Sequence, residues 1–133
     1  MQKVEHIGIA VKDIRAANAV FAALLGNDAY KEEMVESEHV ITSFFRVGET
    51  KIELLMATDP ESAIAKFLDK NREGIHHIAF DVDDIETELA RLESLGFSLI
   101  HKTPKAGADG KIIAFLHPKS TAGVLVELCQ DRG

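Results

Sequence analysis

At 133 residues the chain is long enough for one domain with a real core and short for two independent ones. Hydrophobic residues make up 46% and charged residues 28%, a globular balance, and the net charge of −7 excludes a general nucleic-acid binder, which needs a basic surface. No apolar run approaches the roughly 20 residues of a membrane span, Lys3, Glu5 and His6 interrupt any signal-peptide core, and the one cysteine, Cys129, rules out an internal disulfide or a cysteine-built zinc cage. A cytoplasmic protein with no membrane partner is expected.

The first element is the alternating string "EHIGIAVKDI", a strand that runs into a helix capped by Asp13. Ile14, Ala17, Phe21 and Leu24 form the expected apolar face of that helix, and Gly26 stops it. Two further strands are expected at about 29–35 and 40–47, followed by the strand "TKIELLM", which closes a first module at about 1–57. "DPESAIAKFLDKNREG" predicts a connecting helix at about 60–72, with Ala63, Ile64, Phe67 and Leu68 on its apolar side.

The next string, "HHIAFDVDDI", repeats the first. His6-Ile7-Gly8-Ile9-Ala10-Val11 lies over His77-Ile78-Ala79-Phe80-Asp81-Val82, and Asp13-Ile14 over Asp84-Ile85 at the same offset. Ile85, Leu89, Leu92 and Leu95 are the expected buried row of the second helix, and Gly96 ends it. Strands at about 98–102 and 112–117 and the strand "GVLVELC" complete a second module at about 74–130. Each half reads as βαβββ, and neither could bury a four-stranded sheet face alone. The expected fold is therefore α+β, a single domain over 1–133. In it two tandem βαβββ modules form an open β-barrel-like metal cavity with the helices outside.

Alternation places His6 with Gly8 and Ala10 on one face of the first strand, and His77 with Ala79 and Asp81 on its copy, so each imidazole has a small neighbour. Glu53 lies between Ile52 and Leu54, and Glu127 between Val126 and Leu128. A buried lone carboxylate costs several kcal/mol unless it is protonated, paired or bound to a cation. Two glutamates at equivalent repeat positions, with two equivalent histidines, suit a divalent metal that prefers mixed nitrogen and oxygen ligands. Co²⁺, Mn²⁺, Ni²⁺, Fe²⁺ and Zn²⁺ all qualify. Histidines hydrogen-bonded in the core and glutamates on exposed edges would be the ordinary alternative. One of the adjacent pair His76 and His77 should be structural, and His39 and His101 look like surface residues. His117 ends a strand at the turn "FLHPKS", where it could line the cavity mouth, and Cys129 reads as a small apolar residue. Lys102, Lys105, Lys111 and Lys119 make residues 101–120 locally basic, a setting for an anionic ligand or simply a solvated loop.

The paired His…Glu…His…Glu modules resemble the vicinal oxygen chelate superfamily. "HIGIAVKDI", "KIELLMA", "GIHHIAFDVDDI", "KAGADGKIIAFLHPKS" and "GVLVELCQ", in that order, resemble the methylmalonyl-CoA epimerases along nearly the whole chain. The resemblance implies metal ligation by His6, Glu53, His77 and Glu127, a homodimer, and an acyl-CoA substrate. It implies interconversion of the 2R and 2S epimers of methylmalonyl-CoA by a 1,1-proton transfer through a metal-stabilised enolate. Glu127 is then the candidate base, with Glu53 a weaker one. Lys111, His117, Lys119 and Ser120 are candidate substrate contacts. In part of that family a further glutamate on the third strand of the first module is proposed as the other base. Here that strand reads "HVITSFFRVG", with Ile41, Thr42 and Ser43 and no acid, which leaves Glu53, His39 or a metal-bound water as its substitutes. A glyoxalase I-type lactoylglutathione lyase is the nearest enzymatic alternative, and a metal-free drug-binding resistance module the alternative of another class.

Overall fold

A computed structural model describes residues 1–132. The elements in chain order are β1 (Lys3–Ala10), α1 (Ile14–Leu25), β2 (Lys31–Val35), β3 (Val40–Val47), β4 (Thr50–Ala57), α2 (Ala63–Lys70), β5 (Gly74–Asp81), α3 (Ile85–Ser94), β6 (Lys105–Ala106), β7 (Lys111–Leu116) and β8 (Val126–Asp131). The βαβββ pattern is therefore present twice, on either side of α2. Two compact units follow: His6–His76, and Met1–Glu5 with the chain from His77 onward.

In the unit His6–His76 the strands lie in the order β2-β3-β4-β1. β4 runs parallel to β1, with Gly8 opposite Glu53, and antiparallel to β3, with Phe44 opposite Glu53. A parallel neighbour needs a crossover, and α1 with β2 and β3 supplies it. Asp13 caps α1 by accepting hydrogen bonds from the backbone N–H groups of Arg15 and Ala16. Gly26 closes it in the left-handed conformation at φ 81°, where a side chain would be strained. The helix packs on Val11, Phe45 and Leu54 through Ile14, Ala17, Phe21 and Leu25. Leu24, expected in that row, is 71% exposed. It lies about a quarter turn away from the line that Ile14, Phe21 and Leu25 define, and Leu25 takes its place. Ser62 caps α2 by accepting from Ile64 N–H at 3.1 Å, and Ile64 is the buried residue of that helix.

In the other unit the order is β5-β8-β7-β6, with β5 parallel to β8 and Ala79 opposite Glu127. The chain start joins this unit, where Gln2 N–H donates to Asp81 O at 2.8 Å. Ile85, Leu89 and Leu92 of α3 are buried against Val82, Ala114, Leu116, Val126 and Leu128. Leu95, expected with them, is 64% exposed because the helix ends at Ser94 and Leu95 is its cap, so its side chain leaves the row. The expected strand at 98–102 is also corrected. Leu99 makes an isolated bridge to Leu116, and the N–H groups of Ile100 and His101 both point to Phe115 O, at 2.9 and 3.3 Å. The neighbouring apolar pair Leu99-Ile100 breaks the two-residue period, and two residues facing one partner make a bulge rather than a ladder. Pro104, which has no N–H, follows, and pairing resumes only at the two-residue β6. Among the described residues, no helix is long and apolar enough to cross a membrane.

Candidate active site

β1 and β4 bring together one histidine and one glutamate. Parallel pairing sets His6 beside Lys51 and Gly8 beside Glu53, which leaves His6 and Glu53 diagonal neighbours on one face with the glycine between them. His6 Nδ1 and Glu53 Oε2 are 3.1 Å apart, and both side chains are buried. The second unit repeats the arrangement on β5 and β8: His77 Nε2 lies 3.0 Å from Glu127 Oε1, again buried, with Ala79 as the small residue between them. Each expected ligand pair therefore exists within its own unit. Donor atoms on neighbouring positions of an ion with bonds near 2.1 Å and angles near 90° stand about 3 Å apart. The donor chemistry and the spacing of each pair fit a divalent metal of the nitrogen-and-oxygen class.

The packing around each pair fixes it. Phe44, fully buried, faces Glu53 across the β3–β4 ladder. Phe115 faces Glu127 across β7–β8 and meets the His77 ring edge-on, with centroids 5.6 Å apart and an interplanar angle of 84°. Cys129 is fully buried, and its Sγ donates to Glu127 Oε2 at 3.2 Å. It is thus more than the small apolar residue expected. The i, i+2 spacing already placed it on the face of Glu127, but nothing in the residue type announced the contact.

The other histidines have structural partners or lie on the surface. His76 meets Phe67 of α2 edge-on at 5.0 Å, which gives the adjacent pair one structural member. His101 is half-buried, not a surface residue, and its Nδ1 accepts from Phe115 N–H at 3.1 Å. His39 is exposed. His117 is exposed and its Nδ1 accepts from Lys119 N–H at 3.1 Å, capping the turn Pro118–Ser120. Ser120 Oγ accepts from Ser98 N–H at 2.8 Å, and the Lys119 side chain is exposed. Lys111 is buried, with its Nζ 2.5 Å from Asp131 Oδ1 and 3.8 Å from Glu5 Oε2. Its ammonium already serves two carboxylates of its own unit.

Comparison with known proteins accords with this arrangement. Residues 5–115 match the sequence profile of the Glyoxalase/Bleomycin resistance protein/Dioxygenase superfamily, and the chain belongs to that superfamily. Within it, the chain is similar along its length to proteins of one activity. It is 43% identical over 129 residues to the mitochondrial methylmalonyl-CoA epimerase of Dictyostelium discoideum, covering 95% of this chain and 76% of the relative. It is 41% identical over 130 residues to the ethylmalonyl-CoA/methylmalonyl-CoA epimerase of Cereibacter sphaeroides, covering 96% and 97%. Among solved structures, a variant of the Streptomyces coelicolor methylmalonyl-CoA epimerase in complex with 2-nitronate-propionyl-CoA matches with a TM-score of 0.95. The identity is 33%, and the match covers 100% of this chain and 96% of that one. The α+β fold built from two βαβββ modules is thereby the fold of these epimerases, which are isomerases.

Proposed function

We propose that the protein is a methylmalonyl-CoA epimerase, interconverting the 2R and 2S epimers, and that His6, Glu53, His77 and Glu127 together hold one divalent metal ion. The observation that carries this reading is the duplicated buried histidine–glutamate pair, with donor atoms 3.1 and 3.0 Å apart, in a chain similar over its whole length to acyl-CoA epimerases. Co²⁺ is the metal we would expect first, and Mn²⁺, Ni²⁺ or Zn²⁺ would satisfy the same donors. The ion, when bound, supplies positive charge that offsets the negative charge developing on the substrate's oxygens.

The chain's own residues do the rest. C2 of methylmalonyl-CoA lies between a thioester carbonyl and a carboxylate, so its proton is acidic. Loss of that proton leaves an electron pair shared with the carbonyl. Glu127 takes the proton on one face of C2 or returns it there, held in position by Cys129 and Phe115. Nothing is oxidised and no bond other than C–H is broken. Lys119, exposed beside the Pro118–Ser120 turn, is the side chain of the basic loop we would place on the CoA phosphates. A homodimer goes with this reading, and sedimentation velocity gives the assembly. A cytoplasmic setting goes with this reading as well.

The test is solvent deuterium incorporation at C2 of methylmalonyl-CoA, followed by NMR. Metal-loaded protein should incorporate deuterium and convert one epimer into the other, and EDTA-treated protein and Glu127→Gln should interconvert the epimers at least about 100-fold more slowly. Loaded protein that incorporates none would discard the reading, and turnover of a glutathione hemithioacetal in its place would make it a glyoxalase.

A further inference from the structure

An epimerisation needs a proton carrier on each face of C2, and Glu127 serves one face. The unit His6–His76 carries three acidic residues on β2, β3, β4 and its part of β1, namely Glu32, Glu33 and Glu53. Their directions follow from the registers. Phe44 is opposite Glu53, Thr42 is two residues along β3 from Phe44, and Glu33 is opposite Thr42, so all four share one face of the sheet. Glu32 is on the other face, where it accepts from Ser43 Oγ at 3.3 Å and from Asn18 Nδ2 of α1 at 3.2 Å. Glu33 is thus the carboxylate, other than the proposed ligand, that these strands place on the face of Glu53.

A second, independent observation falls on its neighbour. Thr42 is fully buried, and its hydroxyl has no hydrogen-bond partner among the described residues. Buried hydroxyls are almost always bonded, so an orphan calls for a partner, whether a water, a bound substrate or a neighbouring side chain that turns toward it. Opposed residues of an antiparallel pair have their Cβ atoms about 5 Å apart, close enough for a rotation about the Glu33 side chain to bring its carboxylate to the Thr42 hydroxyl. What holds Glu33 in this state includes Lys31, with Nζ 3.6 Å from Oε1, a partly exposed pair of the kind that contributes little.

We propose that Glu33 is the second proton carrier of the reaction and that Thr42 is its positioning residue, donating a hydrogen bond that turns the Glu33 carboxylate toward the substrate. This rests on the epimerase reading. In one direction the C2–H bond breaks, its proton passes to an ionised carboxylate on one face, and its electron pair stays on the enolate. The protonated carboxyl on the other face then gives its proton to C2, and the reverse direction exchanges the two roles.

The experiment presents each pure epimer separately to the metal-loaded enzyme in deuterium oxide and follows both epimer interconversion and deuterium at C2. With Glu33→Gln, interconversion should fall at least about 100-fold, while one epimer still exchanges its C2 proton with retention of configuration and the other becomes inert. Thr42→Val should lower the maximal rate with little change in KM, and Thr42→Ser should restore it. Glu32→Gln, altered on the opposite face, should run at the wild-type rate, and unchanged metal content and circular dichroism would establish that Glu33→Gln is folded. Glu33→Asp, which shortens the reach, gives an intermediate rate and a second variant to read. Glu33→Gln interconverting the epimers within about threefold of wild type, or losing exchange from both epimers alike, would overturn the assignment while leaving the epimerase standing. Wild-type protein that exchanges neither epimer would overturn both.

Discussion

Cys129 and Glu127 are two residues apart on β8, and the thiol donates to the carboxylate that we propose as a base. A partner hydrogen-bonded to a ligating or reacting group commonly contributes 10- to 100-fold to affinity or rate. Cys129→Ala, which removes the donor without adding bulk to a fully buried position, should lower the epimerisation rate at least about tenfold, while Cys129→Ser, which keeps a donor, should stay close to wild type. Steady-state kinetics on the two variants decides whether the contact acts through the donor or through packing alone. The four histidine and glutamate positions were legible in the sequence because duplication singled them out twice. Glu33 was not singled out, because its strand, Lys31–Val35, carries two adjacent acids and only the register with β3 says which one shares the sheet face of Glu53. Cys129 was half legible: its face followed from alternation, its partner did not.

The elements were read from caps and periods, and they hold where those signals are strong. Asp13, Asp84, Gly26 and Gly96 mark the ends of α1 and α3, and Ser62 caps α2 from a buried position. Ser62→Ala should cost about 1 kcal/mol in urea denaturation, the usual worth of such a cap. Asp84 accepts hydrogen bonds from Thr87, first from its backbone N–H and then from its side chain, and these hold its carboxyl below the usual aspartate value of 3.8. A folded-state pKa below the unfolded one stabilises above the unfolded value, and the gain is lost as pH falls through the folded value. The stability difference between wild type and Asp84→Ala should therefore be full at neutral pH and vanish in acid well below pH 3.8, as read from paired pH titrations of the unfolding midpoint. Leu128, fully buried against α3, should cost about 2–5 kcal/mol when changed to Ala. The readings that failed had weaker signals. Leu24 and Leu95 are apolar residues at the edge or beyond the end of a helix face, and Leu99-Ile100 carries no alternation to mark a strand.

At the scale of the molecule, the repeat is the feature from which the rest follows. One βαβββ pattern, written twice, puts a histidine on the first strand and a glutamate on the last strand of each half, and pairs them within hydrogen-bonding distance in both. A carboxylate buried in this way calls for compensating charge. On our account two such pairs meet that need by sharing one ion. The fold class was legible because a repeat and its alternation survive without knowledge of long-range packing. The second proton carrier we propose was not, because the proposal depends on which strands become neighbours and in what register.

The measurement that tests this account most directly is the metal stoichiometry of the purified protein by inductively coupled plasma mass spectrometry, made on wild type and on His6→Ala and His77→Ala. The account predicts one divalent ion per chain, with affinity reduced in both variants by at least about tenfold, because each removes a ligand from the same ion. Two ions per chain, or a variant in one half that binds as wild type does, would contradict it.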